Sequence, residues 1–193
     1  MDGMSVVQKL RAENLIFKEL ATYFLKKILF QYSNYERIDV VLDVYCATSI
    51  KQFEREQRGE CEGITFHEIK RGHKIVNWGR ILKNSDAKNK ITKYIVDIWK
   101  EKSSLSHLPA SQTLYATYGS ECIRLTSESA EYVPELTSNQ EEADTRMMLH
   151  IQDASKSFPN ILCVSDDTDV MLLCMYVNVT VKFPSKIFLK RSQ

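Results

Sequence analysis

Residues 161–170 read Ile-Leu-Cys-Val-Ser-Asp-Asp-Thr-Asp-Val: four apolar side chains, a serine, then carboxylates at 166, 167 and 169. An apolar run this short, closed by acids, reads as a strand buried on both faces, and Asp167 to Met175 then starts a helix. Working outward, Pro159-Asn160 separates the run from a helical stretch at about 140–156. Thr137-Ser138-Asn139-Gln140-Glu141 introduces that helix, with Ser138 and Glu141 in capping-box positions. Farther upstream, Arg37-Ile-Asp-Val-Val-Leu-Asp43 repeats the pattern of a β-branched apolar run ending in a carboxylate. Strand, helix and strand in this order predict an α/β fold: a parallel sheet covered by helices, with strands at 37–43 and 161–165 as neighbours or near neighbours.

The remaining periodicities fit that frame. Val6, Leu10, Leu15, Phe17, Leu20, Phe24, Ile28 and Leu29 carry helical spacing through residues 5–32, and Ile91, Ile95, Ile98 and Trp99 carry it through 86–101, after a shorter helix at 78–82. Two strands are expected at Thr113–Tyr118 and Glu121–Leu125, turned at Gly119-Ser120. Residues 48–58 read as a charged helix. Gly59 to Val76, with three glycines and little periodicity, reads as a flexible loop or arch-like excursion.

The 193 residues fit one domain spanning 1–193, long enough for a full core; 44% hydrophobic and 26% charged residues suit a globular chain and exclude a disordered or fibrous one. With 26 basic against 25 acidic side chains there is no global field to draw in nucleic acid, so any phosphate binding is local. The longest apolar stretch, Val170 to Val181, is interrupted and falls short of the roughly 20 residues of a membrane span. No secretory signal is evident, which makes nucleus or cytoplasm the expected location. Cys46, Cys61, Cys122, Cys163 and Cys174 show no CxxC pair and read as free thiols of a reducing compartment. Cys61, His67 and His73 share one loop, but their spacing fits no common zinc finger.

In an open parallel sheet, ligands bind beyond the carboxyl ends of the strands. Asp43 and Asp167 are placed there. Glu142 and Asp144, in the first turn of a helix starting on the same rim, and Asp169 bring the set to five. Carboxylates a few Å apart raise each other's pKa, and divalent cations relieve the repulsion. Hard oxygen ligands select Mg²⁺ or Mn²⁺, and two ions about 4 Å apart activate water and stabilise a leaving oxygen in phosphodiester cleavage. Against this stands the preference of acids for helix N-termini, which covers Glu141 and equally describes Asp166 as a cap and Asp169 as a first-turn acid.

Glu142-Ala-Asp144, a following helix and strand, and Ser165-Asp-Asp-Thr-Asp-Val170 together resemble the metal-binding half of the flap-endonuclease-like branch of the PIN-domain nucleases. Val41-Leu-Asp-Val-Tyr45 followed by Ile50-Lys51, Arg55 and Arg58 is similar to that branch's strand-end aspartate and basic helix. Closest is a group of uncharacterised animal proteins, frequent in invertebrates. They share Asp2-Gly3 with Val-Val-Gln, Asn77-Trp78, Gln140-Glu-Glu-Ala-Asp-Thr-Arg-Met147 and the Asp-Thr-Asp-Val close. The resemblance covers residues 2 to about 176.

It implies a three-layer, PIN-like (Rossmann-like) fold with a mostly parallel central sheet flanked by helices. It implies metal roles for Asp2, Asp43, Glu142, Asp144, Asp167 and Asp169, all but Asp2 also catalytic, with two Mg²⁺ or Mn²⁺ ions. DNA or RNA is the implied partner, contacted by Lys51, Arg55 and Arg58, although Glu54 and Glu56 equally suit a solvated helix face. Two departures are visible. The family's first aspartate ends a central strand, whereas only Met1 precedes Asp2; the family also continues into a late acidic motif beyond Gln193. The fold is therefore expected to be incomplete at both ends. A metal-dependent nuclease is the first functional expectation. A catalytically inactive PIN-like binding or structural module, or a fragment of a larger nuclease-derived protein, is the second.

Overall fold

The structure is a computed structural model that describes residues 1–45, 64, 67–140 and 142–191. It is α/β. In chain order it contains α1 (Gly3–Gln8), α2 (Phe17–Gln31), β1 (Arg37–Val40), α3 (Trp78–Ile81), α4 (Ser85–Trp99) and α5 (Lys102–Leu105). There follow β2 (Thr113–Tyr118), β3 (Glu121–Leu125), β4 (Ala130–Tyr132), α6 (Ala143–Ser155), β5 (Asn160–Val164), α7 (Thr168–Val181) and β6 (Lys186–Lys190).

Each main element buries the face its sequence provides. In α2, Phe17, Leu20, Ala21, Phe24, Leu25, Ile28 and Leu29 form the buried stripe, and Glu19 Oε2 accepts from Ile16 N–H at 3.0 Å to satisfy one orphan donor at the helix start. In α4, Ile91, Ile95, Ile98 and Trp99 face inward, and Asn84 caps the first turn through Ala87 N–H. Trp99 joins the two helices: its ring lies 5.2 Å from that of Phe24, and its Nε1 donates to Ala21 O at 2.8 Å. The indole thereby buries a large apolar surface without leaving its one polar atom unsatisfied.

The strands form a four-stranded sheet in the order β1-β2-β3-β4, parallel between β1 and β2 and antiparallel beyond, and a separate parallel pair, β5-β6. The expected single, mostly parallel sheet is thus corrected to a mixed sheet and a small parallel one. The tight Gly119-Ser120 turn forces β2 and β3 antiparallel, as hairpins must be, with Gly119 at φ 49°. β1 and β5, expected as neighbours or near neighbours in one sheet, belong to different sheets.

Residues 1–3 stand between them. Met1 N donates to Asp39 O at 2.6 Å, Val41 N to Met1 O at 3.0 Å and Gly3 N to Val41 O at 2.7 Å, while Asp2 N donates to Val164 O at 3.0 Å. Asp2 makes a parallel bridge to Val41. Asp2 is therefore held by a ladder at its own position, where only an unsupported carboxylate was expected. The close approach requires Gly3: a Cβ there would lie 2.6 Å from Leu42 Cδ2 and 2.8 Å from Val40 Cγ1.

The larger core gathers α1, α2, α4 and the four-stranded sheet, and reaches Val164. A smaller one joins Val41 to Ala143, Met147, Ile151, Cys163, Val170 and Cys174. Outside it, α7 exposes Leu172, Met175, Tyr176 and Val179. Other boundaries shift. α6 starts at Ala143, with Glu142 at its N-cap, so the expected Ser138 cap does not form; Ser138 Oγ accepts from Gln140 N–H instead. The strands β4 and β6 and the short α5 were not anticipated from the sequence. The expected helix at 48–58 lies outside the described residues, as do residues 59–63, 65 and 66 of the expected 59–76 loop; in its described part Lys74 makes an antiparallel bridge to Ile16. No helix among the described residues is long and apolar enough to cross a membrane.

Candidate acidic site at the strand ends

Asp43 follows β1, where Thr117 Oγ1 accepts from Leu42 N–H at 2.8 Å and sets the direction of the strand's exit. Its Oδ1 accepts from Ala143 N–H at 2.8 Å, which fixes the carboxylate against the first turn of α6. Tyr45 Oη donates to Oδ2 at 3.4 Å. Burial pushes the Asp43 carboxyl above its ordinary value; the charges of Asp2 and Glu142 push the same way, against the Ala143 and Tyr45 hydrogen bonds.

Asp2 caps α1, accepting from Ser5 N–H at 3.0 Å. Burial likewise raises its carboxyl, and Asp166 adds repulsion. Asp166 receives Ser5 Oγ and Lys9 Nζ, each at 2.8 Å. The structure thus brings Asp2 and Glu142, from two other elements, each into electrostatic range of Asp43. Asp166, read in the sequence only as a helix cap, stands beside them.

The other candidates serve their own helices. Asp167 Oδ1 accepts from Asp169 N–H at 2.8 Å, so the cap of α7 is Asp167 and not Asp166. Asp169 lies exposed in the first turn of α7, and Asp144 Oδ1 accepts from Thr145 N–H at 2.6 Å. The carboxylate oxygens have the chemistry that hard cations prefer. Their spacing does not complete a ligand set: among the described residues no group of three or more His, Cys, Asp or Glu side chains could hold a metal ion. Lys51, Arg55 and Arg58 lie outside the described residues.

Two features supporting this rim were not visible in sequence patterns. Arg146, 1% exposed, donates from Nη1 to Gly119 O at 2.8 Å and Leu42 O at 3.4 Å, and from Nη2 to Glu121 O at 3.3 Å. It ties α6 to the β2–β3 turn and to the residue before Asp43. Below the rim, Arg37 pairs with Asp39 at 2.8 Å and with Asp153 at 2.9 Å, and His150 Nδ1 lies 2.7 Å from Asp39 Oδ1. Burial presses the Asp39 carboxyl upward, but the hydrogen bonds and charges of His150 and Arg37 outweigh it and hold the group below its ordinary value. His150 is a packed residue paired with a carboxylate.

No family model matches the chain, and no curated protein or solved structure matches it.

Proposed function

We propose that this chain is a PIN-like domain of the flap-endonuclease-like kind, a Mg²⁺- or Mn²⁺-dependent nuclease acting on DNA or RNA. One observation carries the reading: the carboxylates of Asp2 and Glu142, from two other elements, each oppose the charge of the buried Asp43 beyond β1. Like charges held together in partial burial are costly to folding, and sites that use them for chemistry are where such arrangements concentrate. Asp43 holds its place through a backbone N–H of the helix that also carries Asp144, so its position is set by rigid elements.

A second reading, a non-catalytic PIN-like module, draws support from Asp144 and Asp167, whose carboxylates accept from Thr145 N–H and Asp169 N–H at the starts of their own helices. Calorimetric titration with Mn²⁺, combined with a cleavage assay on a single-stranded or branched oligonucleotide, separates the two. The nuclease reading expects binding that Asp43→Asn abolishes, together with cleavage that EDTA stops. Asp167→Asn with Asp169→Asn weakens the same binding if those side chains turn toward the ion. Oligonucleotide binding without cleavage, at any Mn²⁺ concentration, establishes the non-catalytic module.

A further inference from the structure

Three sulfur atoms from three elements meet in the smaller core. Cys163 stands on β5, Cys174 on α7 and Met148 on α6. Cys174 Sγ lies 3.8 Å from Cys163 Sγ and 3.9 Å from Met148 Sδ. Both cysteines are 3% exposed and carry free thiols, while Met148 is half-buried, so the group reaches solvent along α6.

Packing alone asks for less than this. A buried thiol behaves as a small hydrophobe and methionine fills irregular gaps, so each could rest against any apolar neighbour in the cluster, such as Val41, Ile151 or Val170. Here the Cys174 thiol faces two sulfurs with one proton to offer. Shared with Cys163, that proton holds the Cys163 thiol below its ordinary value against the opposing effect of burial, and the Cys174 thiol well above its own. Sulfurs about 4 Å apart also span the edges of a trigonal site whose metal–thiolate bonds are about 2.3 Å long. Thiolate and thioether are soft ligands of the kind that select Cu(I). Zinc is disfavoured by ligand count: it takes four ligands, and among the described residues no third His, Cys, Asp or Glu joins the two cysteines in a group that could hold a metal.

We propose that Cys163, Cys174 and Met148 form a binding site for a soft monovalent cation, Cu(I), with two thiolates holding the ion and the thioether completing a three-coordinate set. Each cysteine gives its thiol proton to solvent as it ligates, so binding of one Cu⁺ by both displaces two protons and leaves a complex of charge −1. The ion fastens β5, α6 and α7 to one another through the smaller core. The site shares no ligand with the acidic rim, where hard oxygens suit hard cations, and stands independently of the nuclease reading.

The test is competition for Cu(I) between the full, reduced chain and the chromogenic chelator bicinchoninate under argon. The expected result is transfer of one equivalent of Cu(I) from the chelator to the protein. Cys163→Ser and Cys174→Ser should each weaken binding on the order of 100-fold, and Met148→Leu, which keeps the side-chain volume, about ten-fold, with circular dichroism unchanged. X-ray absorption of the copper-loaded natural chain reads the site without any substitution and should show copper bonded to sulfur alone. Retention of Cu(I) by the chelator overturns the proposal and leaves the three sulfurs as core packing. So does binding that survives Cys163→Ser combined with Cys174→Ser, or nitrogen or oxygen found in the copper's ligand shell.

Discussion

Asp39 and Asp43 leave the same short stretch of chain, yet their surroundings are opposite. At the foot, Asp39 is answered by Arg37 and His150, and its carboxyl is held below the ordinary range. At the rim, Asp43 is opposed by Asp2 and Glu142, and its carboxyl is raised. Both are largely withdrawn from water, so burial does not distinguish them. The difference lies in whether the neighbouring elements bring compensating charge or more of the same. The foot contributes stability as long as its partners remain; the rim costs stability that a bound cation would return.

The largest effect should come from breaking the foot. Arg37→Ala leaves Asp39 and Asp153 without their guanidinium and is expected to cost about 3–5 kcal/mol, lowering Tm by on the order of 10 °C in thermal denaturation. A loss below about 1 kcal/mol would mean that water replaces Arg37 and that foot and rim are alike. Neutralising the rim should do the reverse on a smaller scale. Asp43→Asn keeps an oxygen for Ala143 N–H and removes the repulsion with Asp2 and Glu142, so Tm at pH 7 should stay level or rise by a few degrees. A large drop would show that an ionised Asp43 stabilises the fold.

The subtlest distinction is the direction of pH dependence. Asp39 has a lowered folded pKa, so its contribution is present above the ordinary value of 3.8 and disappears as pH falls through the lower folded value. Asp43 has a raised folded pKa; its favourable contribution is complete below 3.8 and is lost as pH rises through the higher folded value. Urea denaturation of Asp43→Asn beside the natural chain should therefore give a stability difference, in favour of the variant, that shrinks as pH is lowered from 7 to 4. The deficit of Asp39→Asn should shrink only below about pH 4. Matching pH profiles would refute the contrast.

Much of the fold was legible because it depends on local patterning. The strands 113–118 and 121–125 and their turn lie where alternation and Gly119 placed them, and α2 and α4 follow their apolar stripes. The start of β1 was legible for the same reason, although the strand ends at Val40 and not at the expected Asp43, which lies beyond it. What escaped depends on partners distant in the chain. Nothing around Asp39 announces Arg37, His150 and Asp153 as a unit, because His150 approaches only after α6 has packed. The choice between Asp166 and Asp167 was equally hidden: adjacent acids have the same composition, and only the turn into α7 decides which one caps the helix and which one faces Lys9. The place of Met1–Gly3 between two strands was invisible, since three residues carry no periodicity.

Arg146 gives the rim a property beyond its electrostatics. One guanidinium spans the hairpin turn, the carbonyl of Leu42 and the body of α6, so three segments distant in sequence share a single fastening. Local opening of the hairpin cannot proceed while those bonds persist, and releasing them frees the stretch that carries Asp43 at the same moment. In native-state hydrogen exchange the amides of the Gly119 turn, of Leu42 and of the first turn of α6 would then belong to one cooperative opening unit, with the acidic rim assembled or dismantled as a whole.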